Sequence, residues 1–192
     1  MKLTLKDLIS VGIFTVLYYS CQMIFAFIGV IPLGSLFVTS VSALVVGPIF
    51  YVYITKVRKL GALTITGLII IAICFLSFTN VIMTVLTFLP YLLGDLIAFK
   101  GKYLSHKTNT VAYMIVALAP LGISASYWYM YDIAAANYLN AGGKQEWLDG
   151  IQQYLTTTNI ALVILGTLFC AFLSSLISKK ILNKHFKKAG II

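Results

Sequence analysis

Charged residues are scarce in this sequence. They make up 10% of the 192 residues, and only five of them are acidic. A soluble domain carries roughly a quarter charged residues, so the deficit excludes a soluble enzyme, a disordered chain and a nucleic-acid-binding domain. Hydrophobic residues account for 60% of the sequence, and the mean hydropathy is +0.98. This composition is typical of an integral membrane protein.

The residues that usually carry catalysis or bind metals are also few. The three cysteines lie in apolar runs, so we expect buried thiols rather than disulfide bonds. The segment Gly122-Ile-Ser124-Ala125 superficially resembles the serine motif of rhomboid proteases, whose chemistry needs a nearby histidine base. Both histidines, His106 and His185, lie instead in basic segments. We therefore expect no catalytic residues, no metal site and no cofactor in this chain.

Long hydrophobic runs, in contrast, fill most of the chain. A membrane-spanning helix needs about 20 mostly apolar residues. Six runs approach or exceed this length, over residues 8–31, 33–55, 60–78, 81–99, 111–131 and 159–182. Breaks fall at Ile31-Pro32, between Lys56 and Lys59, and at Phe78-Thr79-Asn80. The sequence predicts an all-α membrane protein, with residues 1–192 forming one bundle of six transmembrane helices.

The basic residues indicate how this bundle is oriented. Thirteen of the fourteen lysine and arginine residues precede the first span or follow the second, fourth or sixth, and only Lys144 lies on the other side. Because cytoplasmic loops carry the excess of Lys and Arg, we expect both termini in the cytoplasm. Anionic lipid headgroups then explain the net charge of +9 without a nucleic-acid partner.

The longest loop, residues 132–158, is predicted to be extracytoplasmic. Its second half places apolar residues at helical spacing, with polar residues between them: Trp147, Leu148, Ile151, Tyr154 and Leu155. This pattern predicts a short amphipathic helix over residues 145–155. Such a helix either lies on the membrane surface as an anchor or covers the mouth of a pocket.

Aromatic residues are concentrated just before this loop. Four aromatic residues within 127–131 point to all sides of a helix, so some face the bundle interior, where they can stack on a flat ligand. Together with polar neighbours, they give the candidate ligand-binding residues Tyr127, Trp128, Tyr131, Asp132, Asn137, Asn80 and Gln22. The alternative is that the aromatic residues only form an interfacial belt and that Gln22 only bridges helices.

Small residues recur every four positions along two of the spans. The second span carries Ser35, Thr39, Ala43 and Gly47, and the sixth carries Gly166, Cys170, Ser174 and Ser178. Each set forms a ridge along which another helix can approach closely. The ridges indicate either internal packing or a docking surface for a separate membrane subunit.

Asp95 and two of the prolines, Pro90 and Pro120, lie inside the predicted spans. Intramembrane ionisable residues are functional candidates by default, but Asp95 lies about one turn from the predicted cytoplasmic end. We expect it to pair with Lys100 or Lys102 or to act at a helix end. Pro90 and Pro120 lie near mid-membrane and are predicted to kink their helices.

The architecture and the first helix resemble known membrane proteins. Six spans in 192 residues, both ends inside and one long outer loop before the last span resemble the S component of energy-coupling factor (ECF) transporters. The opening, Leu5-Lys6-Asp7-Leu8-Ile9-Ser10-Val11-Gly12-Ile13-Phe14-Thr15, resembles more specifically the Trep_Strep group of bacterial membrane proteins, which is associated with that class.

This resemblance implies a substrate-binding subunit in the bacterial plasma membrane. An S component binds a micronutrient-like solute from outside and delivers it through a transmembrane coupling subunit, driven by two cytoplasmic ABC-type ATPases that use ATP. Residues 29–34 and 132–158 would cover the pocket. Many S components contact the coupling subunit through an Ala-x-x-x-Ala motif on the first helix, which this sequence lacks. In place of that motif, the resemblance gives Gly12 and Thr15 as candidate contact residues, and the four-residue spacing of the second span adds Ser35, Thr39, Ala43 and Gly47.

Two other functions also fit the sequence. One is a small self-contained secondary transporter acting as a dimer, although the absence of a central acid–base relay disfavours proton coupling. The other is a non-transporting accessory protein that packs on a partner through its small-residue ridges. For either carrier, the aromatic and acidic mouth favours a small, flat, neutral or cationic solute over a polyanion.

Overall fold

The computed structural model describes residues 3–77 and 81–186, in which the chain forms helices and no strand. The α-helices are α1 (Leu5–Ala26), α2 (Pro32–Ser35), α3 (Val38–Lys56), α4 (Ala62–Ser77), α5 (Val81–Lys100), α6 (His106–Val116), α7 (Leu121–Tyr129), α8 (Tyr131–Asn140), α9 (Gln145–Gln152) and α10 (Thr157–Ile181). A 3₁₀ turn, Phe27–Val30, follows α1, and a π-helical turn, Leu182–Phe186, follows α10. The all-helical prediction is confirmed.

Five helical segments in the described ranges are long and apolar enough to cross a membrane. They are Leu5–Val30, Val38–Lys56, Met83–Lys100, His106–Tyr129 and Thr157–Lys184. The remaining predicted span, 60–78, corresponds to α4. Its apolar stretch, Ala62–Cys74, is shorter than the five candidate spans. The predicted turn at Phe78-Thr79-Asn80 lies outside the described residues. The chain is thus a multi-pass membrane protein with five candidate spans in its described part.

The long helices pack as a closed ring. Helix α1 packs between α3 and α4, α3 contacts α10, and α10 contacts α6, while α5 closes the ring by packing against both α6 and α4. The α3–α10 interface is the most extensive. The aromatic side chains of Tyr18, Phe50, Tyr91 and Tyr113 fill the interior, each no more than 4% exposed. Helix α10, the last long helix of the chain, therefore lies beside α3. The order of the helices around the ring differs from their order in the sequence.

The two ridges of small residues face each other across the α3–α10 interface. A Cβ atom added at Gly47 would collide with the side chain of Ser174, and the Ser174 hydroxyl donates a hydrogen bond to the main-chain oxygen of Leu44 over 2.6 Å. Thr39 and Ala43 are buried in the same region of α3. Small residues at this spacing let two helices approach closely. Of the two alternatives for the ridges, internal packing is the one that the structure shows.

The two prolines predicted to kink their helices, Pro90 and Pro120, behave differently. Helix α5 continues through Pro90, whereas Pro120 lies in the turn between α6 and α7. This turn is held by short-range bonds, such as that from the Ala119 N–H group to the Val116 oxygen at 3.0 Å, because proline has no N–H group with which to continue the helix. The predicted span 111–131 is therefore a helix that begins at His106 and is interrupted in the middle.

Asp95 of α5 caps the N-terminus of α4. Its buried carboxylate accepts hydrogen bonds from the main-chain N–H groups of Gly61 (2.9 Å) and Thr64 (3.1 Å), and from the hydroxyl groups of Thr64 (2.8 Å) and Tyr103 (2.7 Å). Unpaired N–H groups and the helix dipole favour a negative charge there. Burial, and then the bond to Asp95, raise the pKa of Tyr103, so its hydroxyl remains a donor. The structure thus shows the helix-end role expected for Asp95.

The described basic residues, apart from Lys144, lie at one end of the bundle. We call this the basic end, and it comprises Lys6, Lys56, Arg58, Lys59, Lys100, Lys102, Lys107, Lys179, Lys180 and Lys184. Here Lys59 forms an ion pair with Asp7 at 2.5 Å, which ties the α3–α4 turn to the start of α1. Lys144 lies between α8 and α9 at the opposite end.

Candidate solute-binding site

A cavity of about 350 Å³ lies at the end of the bundle opposite the basic end. Its walls come from the α1–α3 connection, α7, α9 and α10, and include Gly29, Leu36, Pro120, Tyr127, Trp128 and Trp147. Sites for small molecules have volumes of about 300–1,000 Å³. This space, which we call the main cavity, is large enough for a small ligand.

Two further cavities share walls with the main cavity. So does an open depression of about 640 Å³, which shares Ala26, Gly29 and Trp147 with it and is also lined by Lys144 and Glu146. The side cavity, of about 300 Å³, shares Ile123 and Tyr127 with it. The inner cavity, of about 70 Å³, shares Val38, Pro120 and Ile123 with it and extends towards α4 and α5. Ile123 borders all three cavities. The interruption at Pro120 is therefore part of the site.

Helix α9 covers the main cavity. Its Leu148 side chain is only 1% exposed, and its Gly150 lies so close to α2 that an added Cβ atom would be 2.7 Å from Cγ of Pro32. The indole nitrogen of Trp147 donates a hydrogen bond to the main-chain oxygen of Gly29 over 2.9 Å. The apolar face of α9 thus contacts the bundle. Of the two alternatives for the amphipathic helix, the structure shows the covering one.

Three aromatic rings meet beneath this covering helix. The Trp147 ring makes an edge contact with Tyr127, with centroids 5.6 Å apart, and a tilted contact with Tyr138 at 4.9 Å. Gly143 leaves room for the Tyr138 ring, since an added Cβ atom would collide with it. Aromatic pairs of this kind contribute about 0.5–1.5 kcal/mol beyond their burial. The rings therefore hold α7, α8 and α9 together above the cavities.

Two buried polar atoms at the cavity walls have no hydrogen-bond partner within the described residues. The indole Nε1 of Trp128 belongs to a residue that lines the main cavity, and Oγ1 of Thr87 to one that lines the inner cavity. Thr87 as a whole is only 2% exposed. Buried polar groups in proteins are nearly always hydrogen-bonded. The two atoms are exceptions to this rule, and the Thr87 hydroxyl oxygen lies against α7, where a Cβ atom added at Gly122 would collide with it.

Four of the predicted ligand-binding residues lie at the cavities. Tyr127 and Trp128 line the main cavity, Asn137 lines the side cavity, and Gln22 lines the inner cavity. Tyr127 also lines the side cavity, so it stands between two of the spaces. The structure thus brings residues from the first and fifth predicted spans and the outer loop to one region.

The other three predicted ligand-binding residues are placed differently. Tyr131 donates a hydrogen bond from its hydroxyl to the main-chain oxygen of Leu148 at 3.4 Å, which links α8 to α9. Asp132 is exposed in the first turn of α8. Neither residue lines any of the three cavities. Asn80 lies outside the described residues.

Trp147, Ile123 and Thr87 line the cavities but are not among the predicted ligand-binding residues. Trp147 could have been found, because it lies on the apolar side of the predicted amphipathic helix and carries a hydrogen-bond donor. Ile123 and Thr87 are ordinary residues of apolar spans. Their role follows only from the way in which α5 and α7 pack, so no local sequence pattern distinguishes them.

The candidate contact residues for a partner subunit differ in accessibility. The three α3 ridge residues described above are inside the bundle, and Thr15 is buried with its hydroxyl oxygen 2.9 Å from that of Thr66. Ser35 lines the main cavity. An added Cβ atom at Gly12 would meet no atom within 4 Å. Gly12 is therefore the candidate with free space around it.

A protein-family model described as "Hypothetical bacterial integral membrane protein (Trep_Strep)" matches residues 5–188 of the chain. The chain belongs to the Trep_Strep family. No curated protein and no solved structure matches it. The part that matches the Trep_Strep model includes every helix of the ring and the two helices of the outer loop. The candidate site is therefore contained in the region shared with this family.

The three cavities of this Trep_Strep protein carry no formal charge, whereas Lys144 and Glu146 line the depression that adjoins the main cavity at Trp147. The described lining residues of the three cavities include no Asp, Glu, Lys or Arg. Within residues 3–77 and 81–186, no group of three His, Cys, Asp or Glu side chains could hold a metal ion. The chemistry that the three cavities offer is apolar contact, aromatic stacking and a small number of neutral hydrogen bonds.

Proposed function

We propose that this Trep_Strep protein is the substrate-binding subunit of an ABC-type importer, acting like the S component of an ECF transporter. The observation that carries the proposal is the main cavity, which α9 covers at one end of the bundle. In this proposal the chain is not an enzyme and holds no cofactor. It captures a small micronutrient-like solute, and a coupling subunit with two ABC-type ATPases, which use ATP, supplies the work.

We place the protein in the bacterial plasma membrane with six spans and both termini in the cytoplasm. The arrangement counts α4 as a short sixth span. The gathering of the described basic residues at one end of the bundle supports it, since cytoplasmic segments carry the excess of Lys and Arg. The covered cavity then faces the outside of the cell, where an importer meets its solute.

The packed core beneath the cavities supports the proposal that transport depends on a partner subunit. The buried rings of Tyr18, Phe50, Tyr91 and Tyr113 fill the core of the bundle. The carboxylate of Asp95 is engaged in capping α4. Moving a solute past these packed rings requires a large rearrangement of the bundle. In this proposal, ATP hydrolysis by the partner ATPases supplies the energy for such a rearrangement.

We propose that the coupling subunit contacts the outer face of α1. Among the five candidate spans, this helix buries the smallest share of its residues. Ile9, Ile13 and Val16 are exposed on it, and Gly12 beside them has open space around its Cα atom. A small residue in an apolar helix face permits close approach of another helix.

Purification from native membranes tests the proposal. A tagged copy is extracted in mild detergent, and the co-eluting proteins are identified by mass spectrometry. We expect one polytopic coupling subunit and two ABC-type ATPases, and we expect Gly12→Trp to reduce their recovery without changing the amount of tagged protein. Elution of the wild-type protein alone, even after crosslinking in the membrane, would contradict the importer and favour a dimeric carrier or an accessory protein.

A further inference from the structure

We infer that the open depression beside Trp147 binds a zwitterionic solute, one that carries an ammonium group, a carboxylate and an apolar side chain, as an α-amino acid does. The depression adjoins the main cavity, with which it shares Ala26, Gly29 and Trp147. The inference goes beyond the proposed function, because the depression is open at the surface and its occupancy does not depend on a coupling subunit.

The two walls of the depression differ in chemistry. One wall comes from the end of α1 and the connection to α2, and its apolar residues are Ala26, Val30 and Pro32. The other comes from α8, the α8–α9 connection and the start of α9, and its aromatic and charged residues are Tyr138, Lys144, Glu146 and Trp147. The volume of about 640 Å³ is within the range of about 300–1,000 Å³ found for small-molecule sites. The depression therefore offers apolar contact on one side and charge on the other.

The two charged residues of the depression have opposite signs. Both Lys144 and Glu146 are exposed, and neither side chain forms an ion pair or a hydrogen bond with another described residue. A ligand with a single charge is attracted by one of these groups and repelled by the other. A ligand with both charges is attracted by both when its carboxylate lies at Lys144 and its ammonium group at Glu146. The pair therefore favours a zwitterion over a simple cation or anion.

Two aromatic rings add to the site for the ammonium group. The rings of Tyr138 and Trp147 both line the depression, with centroids 4.9 Å apart, and aromatic faces attract cations. Because the depression is open, the charged groups of the ligand keep part of their hydration. The same groups in the apolar main cavity would lose it, which is strongly unfavourable. The apolar side chain of the ligand lies against the opposite wall.

Three probes with the same branched apolar chain test the inference: leucine, 4-methylpentanoate and 3-methylbutylammonium. The second lacks the ammonium group of leucine, and the third lacks its carboxylate. The chain has two tryptophans, and Trp128→Phe leaves Trp147 as the only one, so its fluorescence in the purified protein reports occupancy of the depression. We expect a saturable response to leucine, with a Kd about fivefold below that of either singly charged probe, as expected for exposed ion pairs.

Matched variants in this background locate the binding. We expect Glu146→Gln to raise the Kd of leucine about fivefold and to lower that of 4-methylpentanoate, because only the attraction by Lys144 is left. Lys144→Gln should also raise the Kd of leucine but lower that of 3-methylbutylammonium. Asp149→Asn makes the same change in charge as Glu146→Gln at another exposed residue of α9, which does not line the depression, and should leave every Kd unchanged.

Several results would overturn the inference. These are the absence of a saturable response to leucine, binding of a singly charged probe as tight as that of leucine, or equal effects of Glu146→Gln and Asp149→Asn. Displacement of leucine by phosphatidylethanolamine added to the lipid-free micelles would assign the depression to a lipid headgroup, which also carries an ammonium and an anionic group. None of these results bears on the importer, which depends on co-purification of the coupling subunit and ATPases.

Discussion

The indole nitrogen of Trp147 donates a hydrogen bond to the main-chain oxygen of Gly29, 118 residues earlier in the chain, over 2.9 Å. This bond joins the covering helix α9 to the 3₁₀ turn that follows α1. The same indole ring contacts Tyr127 and Tyr138. One side chain thus connects three separate parts of the cavity wall, and movement of α9 away from the cavity must break these contacts.

The variant Trp147→Phe should loosen α9 without unfolding the bundle. Phenylalanine retains an aromatic ring but cannot donate to Gly29, and a neutral hydrogen bond contributes about 1 kcal/mol. We expect about fivefold faster amide exchange in residues 145–152, measured by hydrogen–deuterium exchange and mass spectrometry. Trp128→Phe is the control, because the indole nitrogen of Trp128 has no partner among the described residues. Equal exchange of α9 in both variants would show that the bond to Gly29 does not hold the helix.

The variant Asp95→Asn should destabilise the basic end of the bundle. Four donors bond to the two carboxylate oxygens of Asp95, but the side-chain amide of asparagine has only one acceptor oxygen. Each hydrogen bond to a charged group contributes about 1.5–3 kcal/mol. Tyr103→Phe removes one of these bonds and should cost less. We expect the loss of monodisperse protein on heating in detergent to begin at the lowest temperature in Asp95→Asn, then in Tyr103→Phe, then in wild type. An unchanged melting temperature in Asp95→Asn would contradict the capping role.

Two glycine substitutions, one inside the bundle and one on its outer face, should differ in their effect on stability. A methyl group at Gly47 collides with Ser174 across the α3–α10 interface, and overpacking of this kind costs about 1–3 kcal/mol. The same change at Gly12 meets open space. We expect Gly47→Ala to lower the melting temperature in detergent and Gly12→Ala to leave it unchanged. A reversed order would mean that α3 and α10 do not pack through this ridge.

Cysteine labelling in intact cells should reveal the orientation. Lys144 and Arg58 are both exposed and lie at opposite ends of the bundle. We expect a membrane-impermeant maleimide to label Lys144→Cys from outside and to label Arg58→Cys only after the cells are opened, because basic segments remain in the cytoplasm. The wild-type protein, with Cys21, Cys74 and Cys170 in its helices, gives the background. Labelling of Arg58→Cys in intact cells would overturn the proposed orientation.

The hydrophobic runs predicted the long helices, but not α2, α8 or how the helices fit together. Apolar stretches and the break at Pro32 placed α1, α3, α5 and α10 to within a few residues. The interruption of the fifth span was less predictable, because proline continues a helix in α5 and ends one before α7. Which of the two occurs depends on neighbouring helices that can satisfy the freed main-chain groups, and this information is not local to the sequence.

The candidate site could be predicted only in part, for a similar reason. Composition identified Tyr127 and Trp128, since aromatic residues around a helix must place some rings inside. It also favoured Asp132, but the loop folds as α8 and leaves this carboxylate exposed. Thr87 belongs to the site because Gly122 lets α7 approach α5, where an added Cβ atom would be 2.5 Å from the Thr87 main-chain nitrogen. Such a contact between distant segments leaves no pattern in the sequence.

The interface between α3 and α10 also constrains how the protein is made. The hydroxyl oxygens of Ser40 and Thr167 lie 3.1 Å apart although 127 positions separate the residues in the chain. During synthesis, α3 leaves the ribosome long before α10, with its row of small polar side chains still unmatched. Burying a polar side chain without a hydrogen bond is unfavourable; Ser42 bonds to the main-chain oxygen of Thr39 in its own helix, whereas Ser40 meets Thr167 only when the final helix inserts. A chain that ends before α10 would leave the Ser40 hydroxyl without the Thr167 partner that it has in the complete bundle.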